Sequence, residues 1–152
     1  EFNFLEKVPS AKIAELTSAF SEYGIEIVEN QKSVLVQKIK DTIVEMVHSE
    51  RPQNIKSSVY IADKINLSYA YLSNVFSEVT YTSIENFIII QKIELAKQLM
   101  INTPLNLTEI SIQLNYSSVA HLSTQFKHTT GMTPSAFQRI IAKRRELSSK
   151  KQ

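Results

Sequence analysis

The sequence predicts a mainly α chain: two helix-turn-helix subdomains joined by a long linker helix and preceded by a short βαβ-like N-terminal fragment. Three observations carry that expectation. Only two glycines occur in 152 residues, which leaves little material for tight β-turns. From Gln31 onward, apolar residues recur at three- and four-residue spacing, the period of an amphipathic helix. One helix-corner-helix signal also occurs twice, in register.

Residues 1–30 read as strand, helix, strand. Phe2, Phe4 and Val8 alternate roughly with polar residues; Pro9-Ser10 opens a helix striped by Ile13, Leu16 and Phe20; Gly24 ends it; and Ile25, Ile27 and Val28 form a short alternating run. One such unit cannot bury both of its faces. With a first residue that is Glu rather than Met, it is expected to be the end of a larger N-terminal domain. A helical domain is expected over residues 31–145, and a frayed tail over 146–152. Its first helix carries Val34, Leu35, Ile39, Ile43, Val44 and Val47, with Lys38, Lys40, Asp41 and Glu45 mostly opposite. Residues 49–54 read as a loop, and a long helix from about Ser83 to Ile101 separates the two helix-turn-helix units.

The second unit is the clearer one, NLTEISIQLNYSSVAHLSTQFKHTTGMTPSAFQR from Asn106 to Arg139. Ile110 and Leu114 share a face, and the corner at Asn115-Tyr116-Ser117 breaks the period, with Asn suited to a left-handed backbone. Ser117 and Ser118 can cap the next helix, striped by Val119, Leu122 and Phe126. Gly131 supplies the stop, and Thr133-Pro134 is a cap followed by proline at the first helical position. Upstream, at an offset of 49, Ile61, Ile65 and Asn66 match Ile110, Leu114 and Asn115. At an offset of 50, Ser68, Ala70, Leu72, Ser73, Phe76, Thr80 and Phe87 match Ser118, Ala120, Leu122, Ser123, Phe126, Thr130 and Phe137. The second copy thus has one extra corner residue. A lone helix-turn-helix look-alike is weak evidence; two in register are not.

This paired arrangement, above all ISIQLNYSSVAHLSTQFKHTTGMTPSAFQR, resembles the DNA-binding domain of the arabinose-regulator (AraC/XylS) family of bacterial transcription regulators. The resemblance covers about Lys32 to Lys143 and is most specific from Leu122 to Arg139. It implies double-stranded DNA as the partner, an activating surface beside RNA polymerase, and a preceding effector or dimerisation domain through which a homodimer could form. Two positions depart from the pattern. Tyr81 stands at the counterpart of Gly131, which points to a differently built end of the first recognition helix, and Ser111 replaces a small apolar residue that a packed helix should tolerate.

Helical geometry and the resemblance together nominate base-facing positions. In the first reading helix they are Tyr69, Ala70, Ser73 and Asn74, off the Leu72/Phe76 stripe. In the second they are Val119, Ala120, His121, Ser123 and Thr124, with Val119 shared with the core. Asn74 can pair bidentately with adenine, and Ala70, Ala120 and Val119 offer apolar contact to thymine methyls. None is Arg or Lys, so an A·T-leaning preference is expected. Lys127 and Arg139 fall where the resemblance implies phosphate contacts, as do the free N–H groups at the helix starts near Ser68 and Ser118.

Composition bounds the alternatives. The longest apolar run, Phe87–Ile90, is far too short to span a membrane. Without cysteine there is no disulfide or thiolate chemistry, which is compatible with the reducing cytoplasm expected as its location. Residues 1–30 hold two Lys and six Glu, whereas residues 31–152 hold fifteen Lys/Arg and nine Asp/Glu; only the second part has the sign a polyanion binder needs. His121 and His128 have no third ligand nearby, which argues against metal. Ser118, His121 and Ser123 lack an orienting carboxylate, which argues against nucleophilic catalysis. No carboxylate pair or phosphate-cradling glycine loop occurs, so neither an enzyme nor a bound cofactor is expected. The Lys143-Arg144-Arg145 tail reads as solvated rather than as a phosphate clamp. The competing function is a helical protein-interaction module that keeps the scaffold without DNA readout, favoured by the missing Arg and by Tyr81.

Overall fold

The computed structural model describes residues 10–49 and 55–150, with side chains from Glu29 onward. Seven helices follow in order: α1 (Ser10–His48), α2 (Ser57–Ile65), α3 (Tyr69–Thr80), α4 (Ile84–Asn102), α5 (Leu107–Gln113), α6 (Val119–Thr130) and α7 (Pro134–Lys150). No strand occurs among the described residues.

The N-terminal expectation needs correction. The strand expected over Ile25–Val28 is helical, because α1 runs without a break for 39 residues, roughly 58 Å at 1.5 Å per residue. Among the described residues so short a run has no partner strand to take its N–H and C=O groups, whereas a helix satisfies them internally. Gly24 lies inside α1 rather than ending it, at a cost of about 1 kcal/mol relative to alanine. The strand expected over Phe2–Val8 lies outside the described residues. α7 is helical to Lys150, and Arg145 donates to the carbonyl of Ile101, so this cation is tied back to the end of α4.

On the inner part of α1 the buried face is Val36, Ile39, Ile43, Met46 and Val47. Val34 and Val44, expected on that stripe, are 62% and 37% exposed. Five residues separate Val34 from Ile39, and at 3.6 residues per turn they lie roughly 140° apart. α1 packs on α2, α3 and α4; α4 packs on α1, α3, α6 and α7; α5 packs on α6. One continuous apolar cluster joins Val36 on α1 to Phe126 on α6. α4 is central to it, burying Ile84, Ile88, Ile93, Leu95, Ala96 and Met100.

The repeat is also a repeat of bonds. Ile61 and Ile110, Leu72 and Leu122, and Phe76 and Phe126 are all completely buried. Asn66 and Asn115 both turn the corner with positive φ, 68° and 61°. Ser68 and Ser118 cap α3 and α6 by accepting from the N–H of Tyr71 and His121, at 3.3 and 3.0 Å. Thr80 donates to the Phe76 carbonyl and Thr130 to that of Phe126, each at 2.7 Å. Phe76 meets Phe87, and Phe126 meets Phe137, with centroids 5.7 Å apart in both. Ser111 is buried and donates its hydroxyl to the Thr108 carbonyl at 2.7 Å, which is why the polar replacement is tolerated.

Tyr81 does not change how α3 ends. It adopts φ 60° and its N–H reaches the Ser77 carbonyl, as Gly131 does at φ 84° with the Lys127 carbonyl. A side chain at a left-handed position costs about 1–2 kcal/mol, and Tyr81 is 93% exposed, so packing returns little. Tyr81→Gly should therefore stabilise the protein by about 0.5–1 kcal/mol, the penalty removed less the extra unfolded-chain entropy. Gly131→Ala should destabilise it by a similar amount; urea unfolding of both variants checks the pair.

Candidate nucleic-acid interface

α3 and α6 each bury one stripe and leave the opposite side bare. On α3, Ala70 and Asn74 are exposed one turn apart, Ser73 is half-buried, and Leu72, Val75 and Phe76 face the core. On α6, Ala120, His121 and Thr124 are exposed, Val119 and Ser123 are half-buried, and Leu122 and Phe126 face the core. Lys127 continues the exposed side of α6, where it lines a shallow hollow with Thr124 and His128. Arg139 is exposed on α7.

The helix starts are alike. With the Ser68 and Ser118 oxygens each taken by the third N–H of its helix, the N–H groups of Tyr69, Ala70, Val119 and Ala120 have no intrahelical acceptor. They lie at the positive end of the helix dipole, where an anionic oxygen is favoured.

Individual side chains are not equally free. The Tyr69 hydroxyl donates to Glu85 at 2.6 Å, and burial, then the Glu85 bond and charge, push its pKa up to about 12. Tyr69 is therefore engaged within the protein, although expected to face bases. Thr124 donates its hydroxyl to the Ala120 carbonyl at 2.9 Å, which commits its one proton and leaves the oxygen able only to accept. His121 is held from two sides, with Nδ1 3.2 Å from the Ser117 hydroxyl and its ring edge-on to Tyr116, centroids 5.1 Å apart.

Tyr116 marks the difference between the units. It occupies the enlarged second corner, is buried, and donates its N–H to the Ser111 carbonyl at 2.9 Å. Leu67, in the shorter first corner, is exposed. The Lys92 ammonium of α4 lies 5.1 Å from the Tyr116 ring centroid, and burial lowers its pKa below the ordinary lysine value. The Tyr116 hydroxyl finds no hydrogen-bond partner among the described residues, and burial raises its pKa to about 12.

Two features escaped the sequence reading. Tyr71, 49% exposed, is the register-mate of His121 at the 50-residue offset; applying the offset to reading positions as well as core positions finds it. Asn106 caps α5 in a reciprocal box, accepting from the Glu109 N–H at 2.8 Å while Glu109 accepts from its own N–H at 3.3 Å. The Asn-x-x-Glu spacing is the signal for that box.

Comparison with known proteins agrees with this geometry. Residues 61–140, spanning both units, match the family described as a helix-turn-helix domain, and the chain belongs to its AraC type, the DNA-binding domains of transcription regulators, which are not enzymes. It is 28% identical over 129 residues to the Msm operon regulatory protein of Streptococcus mutans serotype c, covering 85% of this chain but 45% of that protein. Among solved structures it resembles the C-terminal domain of AraT, a response regulator from Geobacillus stearothermophilus, with TM-score 0.61 and 24% identity, covering 70% of this chain and 84% of that one. It also resembles the DNA-binding domain of AdpA, a global transcriptional factor solved with a target DNA, with TM-score 0.62 and 17% identity, covering 73% and 96%. At these identities the two structures show a shared fold. No described helix is long and apolar enough to cross a membrane.

Tyr116→Phe should remove an unpartnered buried hydroxyl and leave stability unchanged or raised by about 1 kcal/mol. The raised tyrosine pKa has a signed consequence. The folded state holds the proton more tightly, so this stabilisation is complete below pH about 10 and is lost as pH rises through about 12. Chemical unfolding at increasing alkaline pH should show a loss of stability to which Tyr69, raised likewise, also contributes, so that Tyr116→Phe reduces the loss and leaves the Tyr69 share.

Proposed function

We propose that the chain is the sequence-specific DNA-reading part of a transcription regulator, with residues 31–145 as the reading domain and α4 as the rigid linker between two reading helices. The observation that carries this is the duplicated exposed register, Ala70/Asn74 on α3 and Ala120/Thr124 on α6, mounted on one continuous core. α4 has 19 residues, roughly 28 Å, against the roughly 34 Å of one B-DNA turn. Two successive major grooves on one duplex face are then within reach of a single chain.

In this reading Asn74 pairs with adenine, and Ala70, Ala120 and the Thr124 methyl contact thymine methyls, giving an A·T-leaning site. Tyr71 and His121 stand at matching positions beside them. Ser123, Ser73, Val119 and Tyr69 shape the edges of the two surfaces. The free N–H groups behind Ser68 and Ser118, with Lys127 and Arg139, hold phosphates and set the register. Activation beside RNA polymerase and a homodimer through the N-terminal region belong to the same reading, by likeness to the family. The likeness to the Msm operon regulatory protein supports regulation of a gene cluster.

Selection of bound duplexes from a random pool tests this. Enrichment of two A·T-leaning segments about one helical turn apart is expected. Asn74→Ala should weaken the selected duplex by about 1–3 kcal/mol and relax one segment, and Thr124→Ala should relax the other. Lys127→Ala should weaken all duplexes alike and lower the salt slope by about 1. G·C-rich segments would overturn the base assignment. No enrichment at any salt would favour an interaction module, the reading that the absence of Arg and Lys from the base-facing positions supports.

A further inference from the structure

A cavity of about 220 Å³ lies where the two helix-turn-helix units meet. Its walls come from the last turn of α1, the residues that open α2, the middle of α4 and the corner that ends α5. No wall belongs to α3 or α6, so the proposed DNA reading leaves the cavity without a role.

The group that sets its chemistry is the Lys92 ammonium. Lys92 is half-buried and lines the cavity. It makes no hydrogen bond and no ion pair among the described residues, where the four ion pairs engage Lys32, Lys64, Lys97 and Lys150. Its neighbour is the Tyr116 ring, 5.1 Å away at the centroid, and a ring face leaves all three ammonium N–H donors without an acceptor atom. Withdrawing a cation from water without a counter-charge is costly, and the lowered pKa of Lys92 has the same origin. An anion beside it removes that cost. Lys56 stands on the same cavity, and no carboxylate lines it among the described residues. The Gln113 and Asn115 amides and the Ser57 hydroxyl add hydrogen-bond donors, while Val47 and Leu114 add an apolar wall.

We propose that this cavity is a binding site for a small organic anion, whose carboxylate or phosphate head lies between Lys92 and Lys56 and whose short body lies against Val47 and Leu114. A few polar groups converging on a partly apolar concavity are the usual make-up of a small-molecule site. The volume falls below the roughly 300–1,000 Å³ of sites for drug-sized ligands, so the ligand has only a few carbons. It would touch both units at once, at the start of α2 and at the end of α5, and stand beside the Lys92–Tyr116 contact that adjoins His121. Occupancy therefore ties the two units together. The inference goes beyond the DNA reading, and its test uses no DNA, so the two can fail separately.

The 152-residue chain is titrated with inorganic phosphate and with acetate, at constant ionic strength made up with chloride, and followed by its backbone amide resonances. Saturable shifts at Ser57, Lys92, Leu114 and Asn115 are expected with millimolar Kd, and the tighter probe identifies the head group. Lys92→Met keeps the side chain's length and removes its charge; it should weaken binding about tenfold or more, the worth of a hydrogen bond to a charged group. Lys56→Ala, at an exposed position, should weaken it several-fold and serves as the second variant if Lys92→Met does not fold. Lys64→Met, which removes a cation already paired with Glu45, should change nothing. Phosphate stabilises folded proteins generally by exclusion from their surface, so the thermal midpoint is read as a difference: the better probe should raise it more in the wild type than in Lys92→Met. Shifts that do not saturate, shifts confined to the starts of α3 and α6, or undiminished affinity in both Lys92→Met and Lys56→Ala overturn the proposal.

Discussion

The burial of α4 is the constraint on which the rest of the molecule depends. A helix with an apolar residue on one side only could serve one unit; α4 is covered by α1 and α3 as well as by α6 and α7. Ile84, Ile93 and Ala96 are completely buried along it. Close-packed interiors deform little, so a displacement of either unit would open cavities in the shared core. The orientation of α3 relative to α6 is thus a property of packing rather than of a flexible connection.

Against that frame the two units are locally independent solutions to the same problem. Each needs a left-handed corner, a serine cap, a phenylalanine pair and a left-handed stop, and each has all four in matching bonds. They differ at the corner. The extra residue in the second unit turns Tyr116 inward against His121 and beside Lys92, so that the exposed face of α6 is braced by α4, whereas that of α3 is braced by the Tyr69–Glu85 bond. The same backbone plan carries different side chains to the outside.

The core was legible because burial repeats. Ile61, Leu72 and Phe76 recur at Ile110, Leu122 and Phe126, and periodicity reports exactly this kind of residue-by-residue agreement between faces only when packing selects it. The outer end of α1 was not. Ile25, Ile27 and Val28 look like a strand because β-branched residues favour one, and nothing local says that no partner strand is at hand. Tyr81 misled for a related reason: residue type predicts a left-handed stop through glycine, but helix ends require the backbone bond whether or not the residue is comfortable. For the candidate interface, helical spacing was enough to place Ala70, Asn74, Ala120 and Thr124 on exposed helix faces, while the engagement of Tyr69 with Glu85 depends on a contact between α3 and the start of α4 that periodicity does not encode.

The central claim is that one rigid chain sets two reading helices a fixed distance apart. It is tested most directly by affinity for duplexes that keep both selected segments and vary only the spacing between them. The account predicts that inserting half a helical turn, about 5 base pairs, reduces affinity to that of a single segment, and that one whole turn does not restore it, because α4 cannot lengthen. Affinity indifferent to spacing would contradict it and would mean that the two units read DNA separately or that only one reads it.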